Sequence, residues 1–227
     1  MIDTSFDFFS DTPEGKDPDG YSPTLRRYHH MLWSKDLPNS EKFSLSMSKG
    51  KYLHWCKFAM SSDAISNSYQ GNKKMAAIIA EVQSDADELF KAGSTIGAYI
   101  IFPSYRVDRK NTINGARGMN SRIADRFDLT LECIRRHYVV EKSPLSEVLE
   151  RYSDYFKLFV DFKGYVDFFL LQDLVASDYR VNFYLPFDGF NRTGAPANAD
   201  EYRALKEAAV VFIKARAQRM KASIPAN

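Results

Sequence analysis

Cysteine, net charge and long apolar runs are all scarce in this sequence, and each scarcity removes a class of protein. The two cysteines, Cys56 and Cys133, have no metal-ligand spacing. Both are expected to be buried thiols in a reducing compartment. With 31 basic and 29 acidic residues the formal charge is +2, so the strong positive field of a dedicated nucleic-acid binder is missing, although a local basic patch stays open. The longest apolar runs, such as 168–171, fall far short of a membrane span, and residues 1–10 carry no basic signal-type segment. These absences predict a cytoplasmic chain with no membrane partner. There is no internal repeat, Walker loop, Rossmann fingerprint, HExxH or nucleophile elbow.

Hydrophobic residues at 44% and aromatics at 14% describe a folded chain rather than a disordered one. Its 227 residues suit one globular domain, 1–227, with an N-terminal wrap over 1–21 and a disordered tail over 223–227. Ser22-Pro23 and Ser143-Pro144 read as helix starts, because a serine N-cap before proline suits the first turn. Alternation of Phe43, Leu45 and Met47 and the aromatic stretch 51–60 predict two strands, paired across Lys49-Gly50. Apolar spacing predicts helices over about 23–35, 73–91, 119–138, 145–156 and 200–221, with further strands at 95–103 and 180–187. The run 165–175 is apolar enough to be fully buried, and periodicity does not choose between strand and helix there, with helix the preferred reading. The expected class is α+β: about five helices around a small, mostly antiparallel sheet.

Chemistry concentrates in residues 111–138, read as a glycine-containing loop feeding a helix from about Met119. At ~100° per residue, Met119, Ile123, Phe127, Leu131, Ile134 and Tyr138 form a core stripe. Asp125, Asp128 and Glu132 then share one sector beside Arg122, Arg126, Arg136 and His137. The carboxylates, with His137, are the candidate catalytic groups, able to hold a divalent cation for phosphate chemistry. Asn114, Arg117 and Asn120, with Arg122, Arg126 and Arg136, are the candidate contacts to a phosphate-bearing substrate, a nucleotide or nucleic acid. The competing reading is structural: Glu132/Arg136 and Arg122/Asp125 stand at ordinary helical ion-pair spacings.

Elsewhere, Arg26, Arg27 and Trp33 are candidate nucleic-acid contacts, set against core packing with a basic edge. Adjacent His29 and His30 diverge on a helix and do not suit zinc. Ser61-Ser62-Asp63 has no histidine tied to it by spacing and reads as a turn or cap. Lys214, Arg216, Arg219 and Lys221 match what a helix C-terminus favours electrostatically, with nucleic-acid contact as the second reading.

The stretches YSPTLRRYHH (21–30), LWSK (32–35), TINGARG (112–118), IADRFDLTLECIRRHY (123–138) and GYVDFFLLQDLV (164–175) resemble a family of bacterial hypothetical proteins classed as a domain of unknown function. That resemblance spans nearly the whole chain and implies a bacterial, mostly intracellular protein, without naming an activity or a site. Two functional expectations stand: an enzyme or toxin-like effector acting on a phosphate-bearing substrate through 111–138, or a non-enzymatic binding protein in which that segment is an ion-pair network.

Overall fold

The computed structural model describes residues 2–47, 53–56, 58–82 and 86–224. After a 3-10 turn at Phe8–Asp11 come α1 (Pro18–Tyr21) and α2 (Pro23–Trp33). Ser22 caps α2 as its spacing predicts, accepting from Leu25 N at 3.0 Å, and its hydroxyl donates to Asp11 at 2.6 Å. One serine thus starts the helix and ties the N-terminal wrap to it.

Strands β1 (Lys35–Asp36) and β2 (Lys42–Phe43) make a separate antiparallel pair. Strands β3 (Ser46–Met47), β4 (Leu53–Trp55), β5 (Phe58–Ala64) and β6 (Tyr99–Pro103) form a four-stranded antiparallel sheet in that spatial order. The expected turn at Lys49-Gly50 lies outside the described residues, but Ser46 pairs with His54 across it. Between β5 and β6 run α3 (Ala76–Glu81) and α4 (Ala86–Gly93), where the apolar spacing had predicted one helix. β6 is buried along its whole length.

Then follow α5 (Ile113–Met119), α6 (Phe127–Tyr138), α7 (Ser146–Arg151), α8 (Ser153–Lys157), α9 (Phe162–Phe168) and α10 (Ala199–Ser223). The class is α+β, as expected. The 180–187 stretch is irregular, however, and among the described residues its one strand-like pairing is a bridge between Val175 and Val181. Helix α10 continues through Ser223, into the predicted tail; residues 225–227 lie outside the described ones. No helix among the described residues is long and apolar enough to cross a membrane.

The main core joins Trp33, Phe43, Phe102, Phe127, Phe159, Tyr165 and Phe169 with one face of α10. A smaller cluster, including Tyr69, Met75, Tyr202 and Leu205, fills the space between α3 and the start of α10. Helix α10 crosses Gly97 so closely that a Cβ there would lie 2.3 Å from Ile213 O. Cys133 is buried as expected, whereas Cys56 is exposed with φ of 50° in the tight link between β4 and β5.

Candidate functional site

The segment 111–138 departs from its sequence reading in its first half: the expected loop holds a helix, and the helix expected from Met119 begins at Phe127 and runs to Tyr138 as read. Thr112 caps a helix over 113–119 by accepting from Gly115 N at 3.3 Å, and Ile113 and Arg117 anchor that helix in the core. Asn120 then turns the backbone extended, and Ala124 and Asp125 both take left-handed φ values of 47° and 60°. The second helix begins only at Phe127. A wheel drawn from Met119 therefore loses its phase: Met119 is 76% exposed, whereas Ile123, Phe127, Leu131 and Ile134 are buried as the stripe requires.

Arg117 is wholly buried with every guanidinium nitrogen engaged. Nη1 donates to Asp63 of β5 and, at 3.1 Å, to Ala64 O. Nη2 donates to Asp125 O at 3.1 Å and faces Asp125 Oδ1 at 3.2 Å, while Nε reaches Thr130 Oγ1 at 3.3 Å. Tyr69 OH donates to Ala124 O at 2.9 Å, so the left-handed pair 124–125 is held from both sides. Asp128, also wholly buried, accepts from Arg126 Nε at 3.1 Å, from Arg126 Nη2 and from Tyr184 N at 2.9 Å. Arg126 Nη1 continues to Gly194 O at 3.1 Å. Gly194 packs so tightly here that a Cβ would lie 2.6 Å from Ile123 O.

Two further carboxyls face this lattice. Burial pushes Asp63 up to about 6 despite the Arg117 guanidinium beside it. Asp19 of α1 is pushed up to about 8 by burial and then by the charge of Asp63, and its Oδ1 is buried without a partner. Among the described residues no three His, Cys, Asp or Glu side chains stand together in a group that could hold a metal ion. The candidate carboxylates turn towards guanidinium groups instead: Asp125 to Arg117, Asp128 to Arg126, Glu132 to Arg135 and Arg136.

The remaining candidates scatter. Asn120 Nδ2 donates to Pro144 O at 3.2 Å, Arg122 is exposed, and Asn114 is half-buried on α5. His137 packs against Phe156 at 5.1 Å, and burial holds its imidazole below the usual histidine range, with Glu150 opposing. Trp33 is buried in the core, Arg27 lies over the Tyr28 ring at 5.6 Å, and Arg26 borders a small cavity with Asp19 and Ser62. Arg216 is also buried, donating to Gly97 O, Tyr99 O and Phe169 O at 2.9, 2.8 and 3.1 Å, and Arg219 pairs with Asp173 at 2.8 Å. These two arginines of the α10 cluster therefore serve the fold.

The tertiary structure does tie a histidine to Ser62, which lies in β5 rather than in a turn. His29 Nε2 is 2.8 Å from Ser62 Oγ. Trp33 Nε1, which can only donate, bonds His29 Nδ1 at 2.9 Å, so the imidazole hydrogen sits on Nε2 and is donated to the serine. A general base needs the reverse arrangement. Burial pushes the imidazole down to about 3, which keeps it neutral in this tautomer.

One end of the segment does open to solvent. Glu132 accepts from Arg135 Nε at 2.8 Å and Nη2 at 3.0 Å, and from Arg136 Nε at 2.8 Å. It forms the floor of a cleft of about 460 Å3 whose other polar groups are Arg135, Arg180 and Asn182, with Phe183 and Phe187 as an aromatic wall. The two rings stack at 4.2 Å and 10°, and Arg136 lies over Phe187 at 5.7 Å. Arg135 Nη1 and the side-chain amide of the exposed Asn182 have no acceptor among the described residues, whereas Asn182 N donates to Leu174 O at 2.9 Å and Arg180 Nε pairs with Asp178 at 2.6 Å. Arg135, Arg180 and Asn182 escape the sequence reading. The signal present was period-two spacing of Arg180 and Asn182, which puts both on one side of an extended chain.

No curated protein and no solved structure significantly matches the chain. The model of a family of unknown function (DUF6994) matches residues 2–220, nearly the full length, and the chain therefore belongs to that family.

Proposed function

We propose that the protein is a binding protein for a planar anionic small molecule of the nucleotide class, seated in the Glu132–Arg135–Arg180–Phe187 cleft, and that the Arg117 and Arg126 ion pairs are the frame that holds this cleft. The observation that carries the reading is the imbalance of polar groups there. The one carboxylate in the lining is saturated by guanidinium hydrogens, Arg135 Nη2 and Arg180 Nε meet Glu141 and Asp178 at the exposed rim, and Arg135 Nη1 and the Asn182 side-chain amide keep donors without acceptors among the described residues. An acceptor-rich ligand completes such a set, guanidinium groups favour phosphate or carboxylate, and the Phe183 face suits a flat ring. Binding is favoured over catalysis because Asp125, Asp128 and Glu132 are neutralised by arginine and the Ser62–His29 pair has the unproductive tautomer.

Thermal unfolding in the presence of ATP, inorganic phosphate or benzoate tests this. At about 100 Kd a ligand of the folded state stabilises by about 2.7 kcal/mol, which is a rise of roughly 5–10 °C for a chain of this size. The rise is expected with ATP, smaller with phosphate or benzoate alone, and absent in Arg180→Ala/Asn182→Ala. Equal shifts in the wild type and the double variant, or none with any of the three, would refute the reading.

A further inference from the structure

A second cleft, of about 500 Å3, opens between β1 and the start of α9, with Pro38 and Val160 as its exposed apolar walls. Lys35 is half-buried in it. Its Nζ donates to Phe168 O at 2.6 Å and lies 4.6 Å from the Phe168 ring and 5.2 Å from the Trp33 ring.

Three carboxylates line the cleft and none of the three pairs with Lys35: Asp36 is exposed on β1, and the other two are engaged elsewhere. Asp161 caps α9 by accepting from Gly164 N at 2.7 Å, and Asp167 accepts from Lys163 and, at 3.0 Å, from Gln172. Among the described residues no carboxylate forms an ion pair with Lys35. Arg216, which also lies over the Trp33 ring at 5.8 Å, is held by carbonyl oxygens alone. Two cations thus share one indole and the carbonyl end of one helix. Partial desolvation without a counter-ion disfavours the charged forms, and of the two groups the amine is the one able to release its proton. Burial and then Arg216 push the Lys35 amine down to about 8. At pH 7 about 10% of such an amine is neutral, against about 0.03% for an ordinary lysine.

We propose that Lys35 is a nucleophilic amine that forms a Schiff base with an aldehyde or ketone whose apolar body packs on Pro38 and Val160. The Nζ lone pair attacks the carbonyl carbon, and a nitrogen proton passes to the oxygen to give a carbinolamine. Loss of that oxygen as water breaks the C–O bond and leaves C=N, so the step consumes no oxidant or reductant. Phe168 O, already an acceptor of one Nζ hydrogen, fixes the position of the amine in the wall of the cleft.

Benzaldehyde with sodium cyanoborohydride traps the imine as a stable secondary amine, which peptide mass spectrometry locates. At pH 7 Lys35 is expected to label at least tenfold faster than the exposed Lys42 and Lys157, with a rate that levels off above pH 8. Lys35→Arg, which retains the positive charge, should lose the fast phase while melting within a few degrees of the wild type. The proposal is overturned if Lys35 labels no faster than the exposed lysines, if its rate climbs without inflection to pH 10, or if the fast phase survives in Lys35→Arg.

Discussion

Lys35 and Arg216 donate to consecutive carbonyl oxygens, Phe168 O at 2.6 Å and Phe169 O at 3.1 Å, where α9 ends. The exposed carbonyls of a helix C-terminus carry partial negative charge, so they receive two cations that have no carboxylate. Removing the larger cation leaves Gly97 O, Tyr99 O and Phe169 O without its hydrogens inside the core. Arg216→Met is expected to cost about 3–5 kcal/mol, read from the urea midpoint. Arg216→Lys should recover little, since one ammonium cannot span three carbonyls. A cost below about 1 kcal/mol would mean that water replaces the guanidinium.

The buried and the half-open ends of the ion-pair lattice should respond differently. Asp128→Ala strands the Arg126 guanidinium and Tyr184 N in the core, a loss of about 3–5 kcal/mol. Glu132→Ala releases Arg135 and Arg136, each 22–24% exposed and able to reach water, and should cost about 1–2 kcal/mol. Denaturant curves on both variants check the order. Equal costs would mean that burial does not grade the network.

Stability should fall as pH rises from 6.5 to 8. Burial and then the charge of Asp63 push the Asp19 carboxyl up to about 8, above its ordinary 3.8. Its neutral form therefore contributes stability that is complete below about pH 4 and is lost as pH rises through 8. Asp63 acts with the same sign but is largely ionised above about 6. His29, held neutral when folded, opposes this trend only below the usual histidine range, where the unfolded chain protonates. A decrease of roughly 1–2 kcal/mol, or a few degrees in melting temperature, is expected over that window. Asp19→Asn should flatten the profile; a profile unchanged in that variant would count against the buried neutral carboxyl.

Two glycines of one region should behave oppositely. A Cβ at Gly194 meets Ile123 O at 2.6 Å and Arg122 O at 2.8 Å, both backbone atoms that cannot swing away. Gly194→Ala should destabilise by about 1–3 kcal/mol. At Gly118, inside α5, nothing lies within 4 Å of the added carbon, and alanine should stabilise by roughly 0.5–1 kcal/mol. Melting temperatures of the pair provide the check.

The legible parts of the fold were those decided by a few neighbouring residues. Ser22 before Pro23 started α2 where the spacing predicted, and Tyr202, Leu205, Ala209, Phe212 and Met220 all face the core from α10. The reading went astray at 119–126, because a continuous apolar period carries no record of a break made by long-range bonds. The left-handed Ala124-Asp125 pair is held by Arg117 and Tyr69, Asn120 is held by Pro144 O, and Arg117 is itself fixed by Asp63, far away in the chain.

Sequence alone determined the class of the molecule: an apolar content sufficient for a core, helices and strands marked by period and cap, and a concentration of charge at 111–138. Which of those charges meet water was decided only in three dimensions. Asp128 and Arg117 pass into the core, whereas Glu132, a single helical turn beyond Asp128, borders an open cleft. The physical reason is that an ion pair's environment depends on what packs against it, and for these residues the packing partners, Asp63, Tyr184 and Gly194, lie more than fifty positions away.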